Sequence, residues 1–287
     1  MAHTTLKDLA ELLLVDYDFR GRKSRRRVEQ CISHLKDFFG EKQRAAELST
    51  TRVKEYIKHR QSQRAANGTI NRELAALRRM FSLGISEDPP LVHHVPYLPK
   101  MKEAPPRQGF LTHEQYEKLH DALPDYLRPV FTFAYQTGWR KAEILGLQWN
   151  NAHLKEGIIV LKPGTTKNDE GRKVFMDDVV RKVVMNQLRD RMRHPTCPYV
   201  FHRNGHRIGS FRKAWAEACK KAGVGDMLFH DLRRTAVRDM VRQGIHDKVA
   251  MQITGHKTRS VFDRYNIISE EDLRAAAQKR SQNGNQA

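Results

Sequence analysis

Six of the chain's eleven prolines crowd into "PPLVHHVPYLPKMKEAPP", from Pro89 to Pro106. A proline has no amide N–H to give a helix, and it biases the residue before it toward extended backbone. Neither a helix nor a central strand can run through such a stretch. The 287 residues are enough for two ordinary domains, and the prolines say where to divide them. Residues 87–108 read as an interdomain linker, with one body over 1–86 and another over 109–268.

Upstream of the prolines the pattern is helical. Ser24 is placed to cap a helix whose apolar face is Val28, Ile32, Leu35 and Phe39, with Gly40 ending it. Thr69 is placed to cap another, with Ile70, Leu74, Leu77 and Phe81 on one face and Gly84 just past its end. Two more helices fit near 5–15 and 50–62, so the first body reads as a small helical bundle. Downstream the reading is mixed. "PVFTFAYQTG" and "KAEILGLQW" look helical, Ile158 to Leu161 and "KVFM" read as two strands of a hairpin around the turn chemistry of "KNDEG", and helical periodicity returns from about Val179. The fold class is mainly α with a small antiparallel β-sheet, in two domains. Beyond position 268 the tail, 269–287, has a capping-box pattern at Ser269 and Asp272 and an apolar stripe of Leu273, Ala276 and Ala277. A helix of about ten residues is unstable alone in water, so the stripe has to dock somewhere.

Fifty-two Lys and Arg against thirty-three Asp and Glu leave a net charge of +19. A surplus of that size repels itself and makes sense opposite a polyanion, nucleic acid or an acidic membrane. No apolar run approaches the ~18 residues of a membrane span, and the N-terminus does not read as a signal peptide, so nucleic acid is favoured and no membrane is expected. Cys31, Cys197 and Cys219 are too few and too scattered for a disulfide framework or a zinc cluster. The densest cationic run is "RGRKSRRR", holding Arg20, Arg22, Lys23, Arg25, Arg26 and Arg27 with no acid among them. It sits where a helix begins, and the dipole there disfavours clustered arginine and favours phosphate. Arg72 and Arg79 lie on one helix face beside Ala75 and Ala76. These eight cations are the expected DNA contacts.

Three further segments carry chemistry. In "TGWRKAEILGLQW" Arg140 follows Trp139, and Glu143 at i+3 can brace its guanidinium. In "HDLRRT" His230 and Arg233 share a helix face, one a proton acceptor near neutral pH and the other a permanent two-pronged phosphate donor. In "GHKTRSVFDRY" Gly255 can end a helix just before His256, and Tyr265 follows nine residues later. Each is weak alone. Their order and spacing, with "TK" at the hairpin, resemble the tyrosine recombinase (phage integrase) family over residues 109–268. The N-terminal body resembles that family's helical (SAM-like) core-binding domain more loosely. The family's "HxLRHT" reads "HDLRRT" here, with Arg234 in place of the second histidine.

The resemblance implies a C-terminal mixed α/β catalytic domain and a site-specific DNA recombinase or integrase acting through a 3′-phosphotyrosine. Tyr265 would be the nucleophile, Arg140 and Arg233 the clamp on the phosphate oxygens, His256 a further donor and His230 the base. A hairpin lysine would protonate the leaving oxygen. That lysine maps onto Lys167, with Lys173 the nearby competitor. No cofactor and no metal is implied, because the cations neutralise the phosphate. The implied partners are double-stranded DNA with specific recombination sites, a homotetramer in the synaptic complex, and accessory DNA-bending or directionality proteins. The tail would dock in trans on a neighbouring protomer, and the location would be cytoplasmic, at the nucleoid. Two other readings stand beside this one: a type IB-like topoisomerase, and a non-catalytic helix-turn-helix regulator built on "DKVAMQITGHKTRSVFDRY".

Overall fold

The computed structural model describes residues 3–105, 109–161, 171–265, 270, 273, 274, 277 and 278. The chain divides into two compact units at Pro106 and Arg107.

The first unit is a helical bundle of α1 (Leu6–Phe19), α2 (Arg25–Phe39), α3 (Thr50–Ser62) and α4 (Asn67–Ser86). Its core holds Leu9 and Leu13 of α1, Ile32 and Leu35 of α2, Tyr56 of α3, and Ile70, Leu74 and Leu77 of α4. The helix periodicity therefore predicts the right faces. The ends differ from the sequence reading. α4 begins after Ala66, so Thr69 lies inside its first turn, and it runs past Gly84 to Ser86. Gly84 is there for packing: a Cβ on it would lie 2.7 Å from Leu9 Cδ2 and 3.0 Å from Val92 Cγ2. Ser24 does precede α2 and Gly40 does end it, but Ser24 makes no side-chain cap bond. The proline-rich stretch is not a free tether. Val92 and Leu98 are buried in this unit's core, and Asn71 holds the Met101 backbone in both directions, at 2.8 and 2.9 Å. The prolines forbid a helix, yet the apolar residues between them still drive burial.

A buried polar network in this unit has no counterpart in the sequence reading. Glu73 accepts from Arg60 Nη2 at 2.8 Å, Arg60 Nε at 3.0 Å and the Tyr56 hydroxyl at 2.6 Å. A carboxylate only 1% exposed is tolerable because it is paired and hydrogen-bonded.

The second unit begins with α5 (His113–Ala122), α6 (Arg128–Thr137) and the short α7 (Lys141–Leu145). An antiparallel sheet follows, ordered β1 (Ala152–His153), β2 (Ile158–Leu161), β3 (Arg172–Phe175), with Ile159 opposite Val174. Then come α8 (Asp178–Arg191), a two-stranded ribbon of β4 (His202–Arg203) and β5 (His206–Arg207), and α9 (Arg212–Lys221). The unit continues through α10 (Leu232–Arg242), α11 (Asp247–Thr254) and α12 (Arg259–Phe262). Phe131, Phe133, Trp139, Ile144, Ile159, Phe201 and Trp215 fill the main core. A second cluster of Ala236, Val237, Met240, Ala250 and Phe262 packs α10 against α11 and α12. This second cluster matters for function, because it fixes the three segments whose ends carry His230, His256 and Tyr265.

Candidate active site

Arg140 is the residue that caps α7. Its backbone N–H donates to Glu143 Oε2 at 3.0 Å, its Nη1 donates to Glu143 Oε1 at 2.9 Å, and its Nη2 reaches Gly255 O at 3.3 Å. The brace expected of Glu143 is present. Burial pushes the Glu143 carboxyl up, but Arg172 and Arg140 beside it reverse this and hold it below the usual carboxylate range.

Arg233 lies in the first turn of α10 and is buried. Its Nε donates to His256 Nε2 at 3.1 Å and its Nη1 to Gly138 O at 2.8 Å; Nη1 also bonds Thr254 O. Gly138 has φ +62°, and a Cβ there would press on Ala236 and Thr254 at 3.0 Å, so glycine brings this carbonyl close to Arg233. Among the described residues, Nη2 of Arg233 is buried without a hydrogen-bond partner. Its pKa is pushed down to about 9, by burial first and by Arg140 and Arg172 next, which still leaves it charged at neutral pH.

His256 follows the left-handed Gly255 that ends α11. Because Nε2 accepts from Arg233, the proton sits on Nδ1, which faces Thr254 Oγ1 at 2.7 Å; that hydroxyl in turn donates to Ala250 O at 2.7 Å. Burial first, then Arg233 and Arg140, push its pKa down to about 3. In this arrangement both ring nitrogens are occupied within the protein, and His256 orients Arg233. The resemblance implies that His256 donates a hydrogen bond to the phosphate; here that nitrogen accepts from Arg233 instead.

Tyr265 stands at the edge of this cationic group. Its hydroxyl is 3.1 Å from His230 Nε2, and its ring is 4.8 Å from that of His256. The guanidinium carbons of Arg233 and Arg234 lie 5.8 and 5.7 Å from its ring centroid. Arg234, where the sequence departs from the family pattern, is therefore a neighbour of Tyr265, tied to Asp231 at 3.2 Å. His230 has an exposed edge, yet its pKa lies below the ordinary value, from burial of the ring first and Arg233 next.

The fold thus brings together Arg140, Glu143, His230, Arg233, His256 and Tyr265 from three separated segments. Lys167 lies outside the described residues. Lys173 is exposed on β3, on the face opposite Arg172 and Val174. The site contains one residue that sequence reasoning missed: Arg172. It pairs with Glu143 and donates to Thr254 O at 3.0 Å. Its signal was in "GRKVF", where alternation puts Arg172 on the inward face with Val174. A cation at an inward strand position marks a buried partner.

The expected DNA-contact cations, by contrast, are partly occupied by acids. Arg20 and Arg79 both hold Asp16, at 2.7 and 2.9 Å, and Arg22 is 3.7 Å from it. Arg25 pairs with Asp18 and with Glu29 at 2.9 Å, while Arg72 donates to Gly68 O at 2.7 Å. Among the described residues Arg26 and Arg27 are exposed and carry no ion pair.

The helix-turn-helix alternative also meets this geometry. After Gly255 the second helix, α12, is only four residues long, too short to lie along a groove as a recognition helix.

Residues 109–271 match the profile of the Phage integrase family, and the chain belongs to that family. It is 25% identical over 179 residues to the integrase of Salmonella phage P22, covering 58% of this chain and 46% of that one. It is 25% identical over 268 residues to the tyrosine recombinase XerC of Halalkalibacterium halodurans, covering 86% and 87%. The chain spans about half the length of the first curated relatives it matches. Among solved structures, a lambda integrase tetramer bound to a Holliday junction matches with a TM-score of 0.75 at 16% identity, covering 92% of this chain and 78% of that one. The architecture is the two-domain tyrosine recombinase fold, mainly α with small antiparallel sheets. Among the described residues no helix is long and apolar enough to cross a membrane.

Proposed function

We propose that this chain is a site-specific DNA recombinase that cuts and rejoins DNA through a covalent 3′-phosphotyrosine. The observation that carries the reading is the 3.1 Å contact between the Tyr265 hydroxyl and His230 Nε2, beside two arginines. Tyr265 Oη attacks the scissile phosphorus, and His230 takes its proton. The bond from phosphorus to the 5′-oxygen breaks, and the 3′-phosphate stays on Tyr265. Lys167, by the family resemblance, gives the leaving 5′-oxygen its proton. The covalent ester conserves the bond energy, so the reverse attack by another 5′-hydroxyl rejoins the strand without an external energy source. Arg140 and Arg233 meet the charge that develops on the non-bridging oxygens, and the unpartnered Nη2 of Arg233 supports an anion arriving there. His256 fixes the Arg233 fork, and Glu143 fixes that of Arg140.

The partner is double-stranded DNA carrying specific sites. The helical bundle of residues 1–86, whose core the proline-rich stretch completes, reads as the core-binding domain, with the cations of 20–27 and Arg72 and Arg79 toward phosphate, and 109–268 as the catalytic domain. The lambda integrase neighbour is a tetramer on a Holliday junction, which supports a tetramer here. Leu273 of the tail is 63% exposed, an apolar residue left uncovered, and this favours docking of 269–287 on another protomer. Truncation after Ser269 then leaves single-site binding nearly intact and abolishes recombination between paired sites; recombination at the wild-type rate would remove the tail from the assembly.

The central test starts with a duplex selected from a random pool for tight binding by Tyr265→Phe, then nicked near each candidate cleavage position. The wild-type protein forms a denaturant-resistant protein–DNA adduct and Tyr265→Phe forms none. An adduct that persists in the Phe variant overturns the assignment. Relaxation of supercoiled DNA with no site preference would move the activity to a type IB-like topoisomerase.

A further inference from the structure

Arg172 opens β3, the strand that follows the segment containing Lys167, and none of the roles above uses it. Its side chain is 7% exposed and forms an ion pair with Glu143 Oε2, a carboxylate that is itself 3% exposed. Its Nη1 donates to Thr254 O at 3.0 Å, and its guanidinium lies over the Trp139 ring at 4.7 Å. Gly255 makes room for it: an ideal Cβ there would fall 1.6 Å from Arg172 Nη1. Both acceptors are shared with the phosphate-facing arginines. Glu143 also holds Arg140, at 2.9 Å, and Thr254 O also receives Arg233.

A buried carboxylate between two guanidiniums has its lone pairs divided between them. Remove one and the other is free to turn both of its Nη groups toward the carboxylate, because bidentate pairing is the stronger arrangement. For Arg140 that turn is away from an incoming phosphate.

We propose that Arg172 is a positioning residue for DNA cleavage: by occupying one side of Glu143 it keeps the fork of Arg140 directed at the scissile phosphate, and by gripping Thr254 O it ties the base of the β2–β3 hairpin to the turn that carries His256. The proposal rests on the reading of Arg140 as a phosphate ligand. Arg172 does not touch the reacting atoms. Its effect belongs to the rate of the chemical step and not to DNA affinity.

The test uses the full chain and the selected nicked duplex. Arg172→Gln and Arg172→Lys are each made alone and together with Arg140→Lys. Single-turnover adduct formation is measured at saturating protein, beside DNA affinity and thermal unfolding. Arg172→Gln lowers the rate by about thirtyfold, less than the ~10²–10³ of a deleted donor because Arg140 is misdirected and not removed, while affinity stays within about twofold. Arg172→Lys keeps the charge on Glu143 but loses the planar fork, and recovers part of the rate. In the Arg140→Lys background Arg172→Gln costs less than about threefold, because its target is already gone. If Arg172→Gln does not fold, the comparison of Arg172→Lys in the two backgrounds carries the same test. Equal losses in both backgrounds, a rate within about threefold of wild type, or affinity falling in step with rate would each overturn the proposal. A wild-type protein that forms no adduct would overturn the recombinase reading and this proposal with it; a wild type that cleaves isolates the question to Arg172.

Discussion

At the scale of single residues, the site is a set of cations held in place by backbone carbonyls. Gly138 O, Thr254 O and Gly255 O receive Arg233, Arg172 and Arg140. Two of these carbonyls stand at the C-terminal end of α11, where unpaired C=O groups and the helix dipole favour cations. An arginine held by its fork is not replaceable by a lysine. Arg140→Lys and Arg233→Lys should each lower single-turnover cleavage by at least about a hundredfold, the scale of a lost oxyanion donor. Cleavage near the wild-type rate would mean that these side chains do not meet the phosphate. The histidines predict two pH effects. In the proposed mechanism His230 is the base only when neutral, and its pKa lies below the ordinary value. Cleavage should therefore stay level as pH falls from 7.5 to about 6.5, the ordinary histidine value, and decline at lower pH. His256 concerns stability. Its folded pKa of about 3 lies below its unfolded value, so the unfolded chain binds the proton first. The contribution is complete above about pH 6.5 and is lost as pH falls from there toward the folded pKa, by at most about 1.4 kcal/mol per pH unit. Thermal unfolding measured between pH 7.5 and 5 should show this slope, and His256→Asn should flatten it.

At the scale of elements, the ends of helices carry the candidate site and their middles carry the fold. α10 and α11 pack through Ala236, Val237, Met240 and Ala250, while Arg233 sits in the first turn of one and His256 just past the end of the other. Close packing sets glycine positions in the same way. Gly84 sits inside α4, where alanine would by propensity gain about 1 kcal/mol. A Cβ there lies 2.7 Å from Leu9 Cδ2, which is fully buried. Overpacking of that kind costs about 1–3 kcal/mol, so steric cost outweighs propensity. Gly84→Ala should lower stability by about 1 kcal/mol, seen as a midpoint a few degrees lower in thermal unfolding. A rise in the midpoint would show that Leu9 repacks freely.

At the scale of the whole chain, each unit has its own apolar core. The first unit's core includes Val92 and Leu98, so its boundary lies beyond the prolines and not before them. A fragment of residues 1–106 should unfold cooperatively on heating and keep its helical circular dichroism, whereas a fragment ending at residue 86 loses those two core residues and should be less stable. Equal midpoints for the two fragments would make the proline-rich stretch a passive connector. The charge of +19 belongs to this scale as well, a self-repelling surplus that favours a polyanionic partner.

Helix faces and the hairpin were legible in the sequence because they depend on local period. Val28, Ile32, Leu35 and Phe39 fall on one side of a helix whatever they pack against, and all four are buried. The set Arg140, His230, Arg233, His256 and Tyr265 was picked out in the sequence by its resemblance to a family pattern, and the fold does bring these side chains together. Helix ends were less so: Thr69 and Gly84 follow local rules for a start and a stop, but packing of α1 and Val92 against α4 outweighs them. Only the tertiary structure decided the pairings. Asp16 takes Arg79 from a helix 63 residues away, Glu73 takes Arg60 and Tyr56, and Glu143 takes Arg172 as well as Arg140. Sequence fixes how many charges a segment carries, but which of them meet depends on long-range packing, and a buried charge goes wherever that packing supplies its partner.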